Sequence, residues 1–179
     1  KSPFIEDWDA IEADIAVLGA PFDSGTQWRS GARFGPKAIR EASMLFSFGH
    51  SGAYDHEDDI TYLDDSVRIV DIGDADIIHT KTDQSHKNIE VGVKKILRAG
   101  ALPVVLGGDH SVNIPCINAF EEFCGDNGSI YIVQIDAHLD FVDCFLPNTA
   151  QYTKLQAKQK GLEEQTKRER KSRTNKKIY

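Results

Sequence analysis

No stretch of this chain stays apolar over the ~20 residues that a membrane-spanning helix needs, so no membrane is expected as a partner. No basic-then-apolar signal segment opens it, although it starts at Lys1 without a methionine, which leaves room for an upstream piece. Cysteine is scarce. Cys116, Cys124 and Cys144 are odd in number and show no CxxC spacing. That excludes a disulfide frame and a cysteine zinc site, and points to free thiols in the reducing cytoplasm. There is no internal repeat. What remains is 179 residues with 40% hydrophobic and 27% charged side chains, the composition of one globular unit. A domain near this size buries roughly 70% of its unfolded surface, enough for a real core.

Charge is divided unevenly. Residues 1–150 hold 11 Lys and Arg against 25 Asp and Glu, a net of −14, whereas residues 151–179 hold 10 against 3, a net of +7. The acidic body argues against nucleic acid and suits a cationic small molecule drawn in by the field. The tail from Lys154 through Lys177 has few large apolar residues. By itself it resembles a nucleic-acid-binding arm, but a solvated and poorly ordered segment is the favoured reading, because it cannot bury enough surface to fold.

Short apolar, β-branched runs alternate with helical patterns. Residues 15–19, 67–72, 102–106 and 130–135 are nearly continuous, as strands covered on both faces are. Ile89, Val93, Ile96 and Leu97 fall at helical spacing and Gly100 closes that helix. Gly35 through Arg40 opens an earlier helix with Pro36 in its first turn, and a third follows Ser111, with Asp109 and Ser111 as capping oxygens and Pro115 near its start. The expected fold class is α/β: a parallel sheet between two helical layers.

Candidate chemistry sits just past the strand ends, where such sheets place it. Gly107-Gly-Asp-His-Ser111 follows the third run and Asp136-Ala-His-Leu-Asp140 the fourth. In the second motif, positions i, i+2 and i+4 of an extended chain share one face, about 6–7 Å apart. Two carboxylates flanking an imidazole suit Mn²⁺ and similar first-row ions, and His110, arriving from the neighbouring strand, can close on the same ion. Gly107 and Gly108 permit the tight turn and close backbone approach this requires. A pair of carboxylate-bridged metals turns water into hydroxide near neutral pH. A lone histidine at a strand end is more often a hydrogen-bonded surface or core residue, and His50, His56, His79 and His86 are placed in that class, His86 on a solvent-facing helix. His110, Asp136, His138 and Asp140 together favour metal, because two polar constellations at the ends of buried strands are costly as mere structure. Asp109 reads equally as a supporting partner of the site or as a helix cap.

These residues resemble the ureohydrolase superfamily, the arginase and agmatinase family. Gly107–Ser111 and Asp136–Asp140 look like two of its three signature motifs, and Gly19-Ala-Pro-Phe-Asp23 with Arg33-Phe-Gly-Pro-Lys-Ala-Ile-Arg40 looks like its N-terminal block. The resemblance covers about residues 10–143. It implies an arginase/deacetylase-like three-layer fold, incomplete in this chain, and two Mn²⁺ or other divalent ions. One is implied to be held by His110, Asp136 and Asp140 and the other by Asp136 and His138, with Asp136 bridging. It also implies attack of hydroxide on a guanidinium carbon, giving urea and an amine, and a homo-oligomer in intact relatives.

The departures from the pattern concern the second half. The family's third motif, a serine followed by two aspartates, supplies a second bridging carboxylate, yet no aspartate follows Asp143 here. A catalytic histidine belongs after the second motif, yet none follows His138. Residues 1–143 therefore read as the N-terminal part of a ureohydrolase domain, residues 144–179 as a basic, non-family tail, and the chain as truncated and without turnover. Phe141 and Val142 stand where arginases carry small polar residues, which favours agmatine or guanidinobutyrate over the zwitterionic arginine. Two alternatives remain at this point: a non-catalytic metal-binding or assembly fragment, and a metallophosphatase, which needs an Asn-His pair absent beside Asn148 and Asn175.

Overall fold

The computed structural model describes residues 2–26, 28–45, 52–125 and 130–137. Residues 1–130 form one compact unit; residues 131–137 belong to a second and are described by themselves. The tail at 144–179 lies outside the described residues.

The first unit holds a parallel sheet of β1 (Ile15–Ala20), β4 (Ile69–Asp74) and β5 (Leu102–Gly107), in the order β4-β1-β5. Helices α1 (Gly35–Ser43), α2 (Thr82–Arg98) and α3 (Asn113–Cys124) flank it. Between α1 and β4 comes an antiparallel hairpin of β2 (Ala53–Asp55) and β3 (Ile60–Tyr62). The register pairs Ala16 with Val70 and Val17 with Asp71. Side chains alternate along a strand, so Ala16, Leu18, Val70 and Ile72 share one face and Val17 and Asp71 the other. Gly92 of α2 lies against Leu18, which puts α2 on the first face. Arg40 of α1 reaches Asp71, which puts α1 on the second. Parallel crossovers are right-handed, and the chain reverses its direction across the sheet after β4, so the change of face follows from the strand order.

Three of the four expected strands and all three expected helices are present. Pro36 is buried in the first turn of α1, where its missing N–H is harmless. Gly100 follows α2 at φ 76°, a left-handed conformation that halts the helix. The core on the α2 face is built from Leu18, Ile72, Ile89, Val93 and Ile96, all essentially without solvent exposure, and Ala119 joins it from α3. On the outer edge of β4, Asp71 accepts from Ile5 N and donates its own N–H to Pro3 O, both at 2.9 Å, so the N-terminal residues cover that edge. On the other face, Arg40 is held by both carboxylate oxygens of Asp71 (2.7 and 2.9 Å), by Asp74 and by Gly73 O.

One expected strand is not a strand. Residues 130–135 carry no ladder pairing, and Tyr131, Val133 and Ile135 are 83%, 85% and 97% exposed. The apolar run has the composition of a buried strand, but a strand exists through its ladder partner and the cover on its faces, and neither is supplied among the described residues. No helix of the described residues is long and apolar enough to cross a membrane. Cys116 and Cys124 are free thiols, as expected, and burial pushes Cys116 up to about 11, which leaves it unreactive; Cys144 lies outside the described residues.

Candidate functional site

β1 and β5 are neighbours whose chains leave toward opposite faces, β1 into α1 and β5 into α3 beside α2. That divergence makes the region beyond their C-terminal ends a topological switch point, the place where open α/β sheets bind ligands. The segments that enter it are Pro21–Arg33, after β1, and Gly107–Val112, after β5.

The two segments are locked together at Gly108. A Cβ there would collide with the carbonyl oxygen of Phe22 and lie 2.5 Å from that of Ala20, so only glycine lets the backbones meet. Asp109 N then donates to Phe22 O at 2.8 Å. The carboxylate of Asp109 accepts from Gly25 N at 2.7 Å through one oxygen and, through the other, from Ser111 N at 2.9 Å and Ser111 Oγ at 2.5 Å. Asp109 caps the turn that begins at His110, one of the two roles expected for it, and it also ties the neighbouring loop to that turn. Asp23, buried after β1, organises that loop from within. It accepts from Gly31 N at 2.7 Å and Arg33 N at 3.2 Å, and Arg33 Nη2 pairs with it at 2.6 Å. The Arg33 guanidinium holds the Asp23 carboxyl below its usual range, against the opposing pull of burial.

His110 is the first residue of a 3-10 turn, His110–Val112, that leads into α3, and it is exposed. Its backbone carbonyl accepts from Asn113 N, so both sides of the residue are pinned. His86 departs from expectation. It is half-buried on α2 instead of facing solvent, with Nε2 3.2 Å from Ser111 Oγ and its ring edge-on to Phe22, centroids 4.9 Å apart. Burial depresses its pKa, against the charge of Asp109. The helical spacing of Ile89, Val93 and Ile96 locates the buried stripe of α2, but His86 precedes its apolar part and packs against a loop, which periodicity does not show.

Asp136 is exposed in the second unit, and His138 and Asp140 lie outside the described residues. Of the four expected ligands, only His110 and Asp136 are among the described residues, each in its own unit, and among the described residues no group of three or more His, Cys, Asp or Glu side chains is placed to hold a metal. What the structure does show is a hydrogen-bonded turn that places His110 just beyond the C-terminal end of β5.

The sequence matches the arginase family over residues 13–165, a span that reaches past residue 143 into the tail. Among curated relatives, a mitochondrial agmatinase of Gallus gallus is 36% identical over 135 residues, 74% of this chain and 36% of that protein. A guanidinobutyrase of Pseudomonas aeruginosa is 36% identical over 144 residues, 80% of this chain and 42% of that protein. A solved Trypanosoma cruzi formiminoglutamase variant containing Mn²⁺ superimposes with a TM-score of 0.51 at 30% identity, over 63% of this chain and 36% of that one. The chain therefore spans about two fifths of the length of the curated relatives it matches. The matched span and the parallel sheet with flanking helices agree: this chain belongs to the arginase family.

Proposed function

We propose that these residues form the front part of a binuclear-metal hydrolase of guanidino compounds, releasing urea and an amine. The observation that carries it is the turn after β5. The carboxylate of Asp109 is taken up by Gly25 and Ser111, and the residue it fixes in place is His110, a metal-type donor at the sheet's switch point. By residue type the proposed donors suit Mn²⁺: the imidazoles of His110 and His138 and the carboxylates of Asp136 and Asp140 would give the mix of hard oxygen and borderline nitrogen that first-row ions take. Two such ions, when bound, would lower the pKa of water and so supply a nucleophile near neutral pH. The chain's own contributions are the fixed position of His110 and the acidic field of residues 1–150, which concentrates a cationic guanidinium.

Phe141 and Val142 support agmatine or guanidinobutyrate as substrate over arginine, and the names of two relatives point the same way. The same acidic body supports a small cationic partner, not nucleic acid or a membrane, and homo-oligomers are proposed for the whole protein on family grounds. Placement in the cytoplasm rests on the free thiols Cys116 and Cys124, while one relative is named as mitochondrial. Family membership removes the support for a metallophosphatase. A second reading, a non-catalytic metal-binding or assembly piece, draws on the lack of any aspartate after Asp143 and any histidine after His138.

Incubation of the 179-residue chain with agmatine and Mn²⁺ tests the proposal through urea release and metal uptake. Fewer than two Mn²⁺ per chain and no urea are expected, since the sequence offers no second bridging carboxylate. Urea above the metal-free control would show a complete site within these residues, and no Mn²⁺ uptake at all would overturn the metal reading. A Ser-x-Asp-x-Asp motif downstream in the gene would decide for the hydrolase over the assembly piece.

A further inference from the structure

We propose that His86, on α2, is a positioning residue for His110: it braces the turn that carries His110 from both of that turn's supports. The inference rests on the metal reading above and extends it to a helix otherwise devoted to the core.

The hydrogen-bond inventory determines the direction of the contact. A serine hydroxyl has one proton. Ser111 Oγ lies 2.5 Å from Asp109 Oδ1, an acceptor only, so that proton goes to Asp109. The approach of His86 Nε2 to Ser111 Oγ at 3.2 Å is then a bond in which His86 donates and the serine oxygen accepts. The chain His86 to Ser111 to Asp109 ends on a carboxylate that also receives Gly25 N and Ser111 N, so each donor in it has an acceptor. The second support is Phe22, whose ring meets His86 edge-on and whose carbonyl receives Asp109 N at 2.8 Å. His110 sits between Asp109 and Ser111 in sequence. A side chain that fixes Ser111 on one side and packs the Phe22 end on the other limits how far the intervening residue can shift. Groups behind metal ligands commonly change affinity 10–100-fold when removed, because they hold the ligand in register.

The test uses the full 179-residue chain and Mn²⁺ alone, with affinity and melting midpoint measured on each variant. His86→Leu keeps an apolar body against Phe22 and removes the donor; His86→Gln keeps an N–H near the position of Nε2. Mn²⁺ binding about 10-fold weaker is expected for His86→Leu, with recovery to within about twofold of the parent for His86→Gln and one melting midpoint for all three. A merely structural histidine would move the midpoint and leave folded-state affinity alone. Should His86→Leu unfold the chain, Ser111→Ala takes its place: the same loss is expected, and parental affinity would overturn the proposal. Parental affinity in His86→Leu, while His110→Ala abolishes binding, overturns the brace and leaves the metal reading standing. Equal weakness in His86→Leu and His86→Gln also overturns it, because the donor would not be what matters. No binding by the parent, or none lost in His110→Ala, overturns the metal reading and the brace with it.

Discussion

Asp109 receives three hydrogen bonds from two loops, and its replacement is the sharpest probe of a single residue. A hydrogen bond to a charged acceptor contributes about 1.5–3 kcal/mol, and less where the donor is exposed, as Gly25 N is. Asp109→Ala is accordingly expected to destabilise the chain by about 2–3 kcal/mol in denaturant unfolding, and a loss near zero would mean that the two loops hold without it. Asp23 makes a different prediction, in pH. Its carboxyl is held below the ordinary 3.8, first by the hydrogen bond from Arg33. A folded-state pKa depressed below the unfolded one means that the unfolded chain binds more protons in that range. The stabilisation is thus complete above pH 3.8 and is lost as pH falls through the folded value. Arg33→Leu is expected to lower stability at neutral pH and to shrink this acid-side loss; an unchanged slope below pH 3.8 would discount the pair. Residues of this kind were only partly legible in the sequence. Gly108 and Asp109 stood out because a double glycine and an acid follow an apolar run, whereas Asp23 bonds to Gly31 and Arg33 within its own loop and His86 to Ser111 on another element, contacts that no helical or strand period records.

At the scale of elements, α2 packs closely on β1. A Cβ on Gly92 would lie 2.8 Å from Leu18 Cδ2 and 3.3 Å from Trp8, and Leu18 is fully buried. Alanine favours a helix over glycine by up to about 1 kcal/mol. Overpacking a core costs about 1–3 kcal/mol, so Gly92→Ala is expected to lower the melting midpoint despite the propensity gain. A raised midpoint would show that α2 can back away from the sheet. The elements themselves were mostly legible, because strands buried on both faces and a helix with one apolar stripe write distinct periods into the chain. The hairpin of β2 and β3 was not, since its three-residue strands bury no face: Tyr54, Ile60 and Tyr62 are all exposed. Its turn instead relies on Asp59 at φ 55° and on Tyr54 Oη donating to Asp59 at 2.8 Å, neither of which is a periodic signal. Residues 130–135 show the opposite case, a strand-like composition without a ladder. Composition states what an element tolerates, while pairing depends on what lies beside it.

Across the whole molecule, charge and exposed apolar surface set the behaviour in solution. The net −14 of residues 1–150 attracts cations over a distance that salt shortens to about 10 Å at 0.1 M. Along β5, among the described residues, only β1 pairs with the strand, and Leu102, Phe120 and Phe123 are 61%, 41% and 55% exposed nearby on β5 and α3. Sheet edges and apolar patches of this kind promote association, so light scattering is expected to rise with concentration, and a strictly monomeric chain at high concentration would argue against an open edge. The central claim, however, is that His110 and Asp136 ligate metal together. Equilibrium dialysis against Mn²⁺ of the parent chain, His110→Ala and Asp136→Ala, each checked for an unchanged fold, tests it most directly. The account predicts fewer than two Mn²⁺ per parent chain, less in His110→Ala, and least in Asp136→Ala, whose carboxylate is the proposed bridge. Two tightly held Mn²⁺ per parent chain, or uptake that neither substitution lowers, would contradict it.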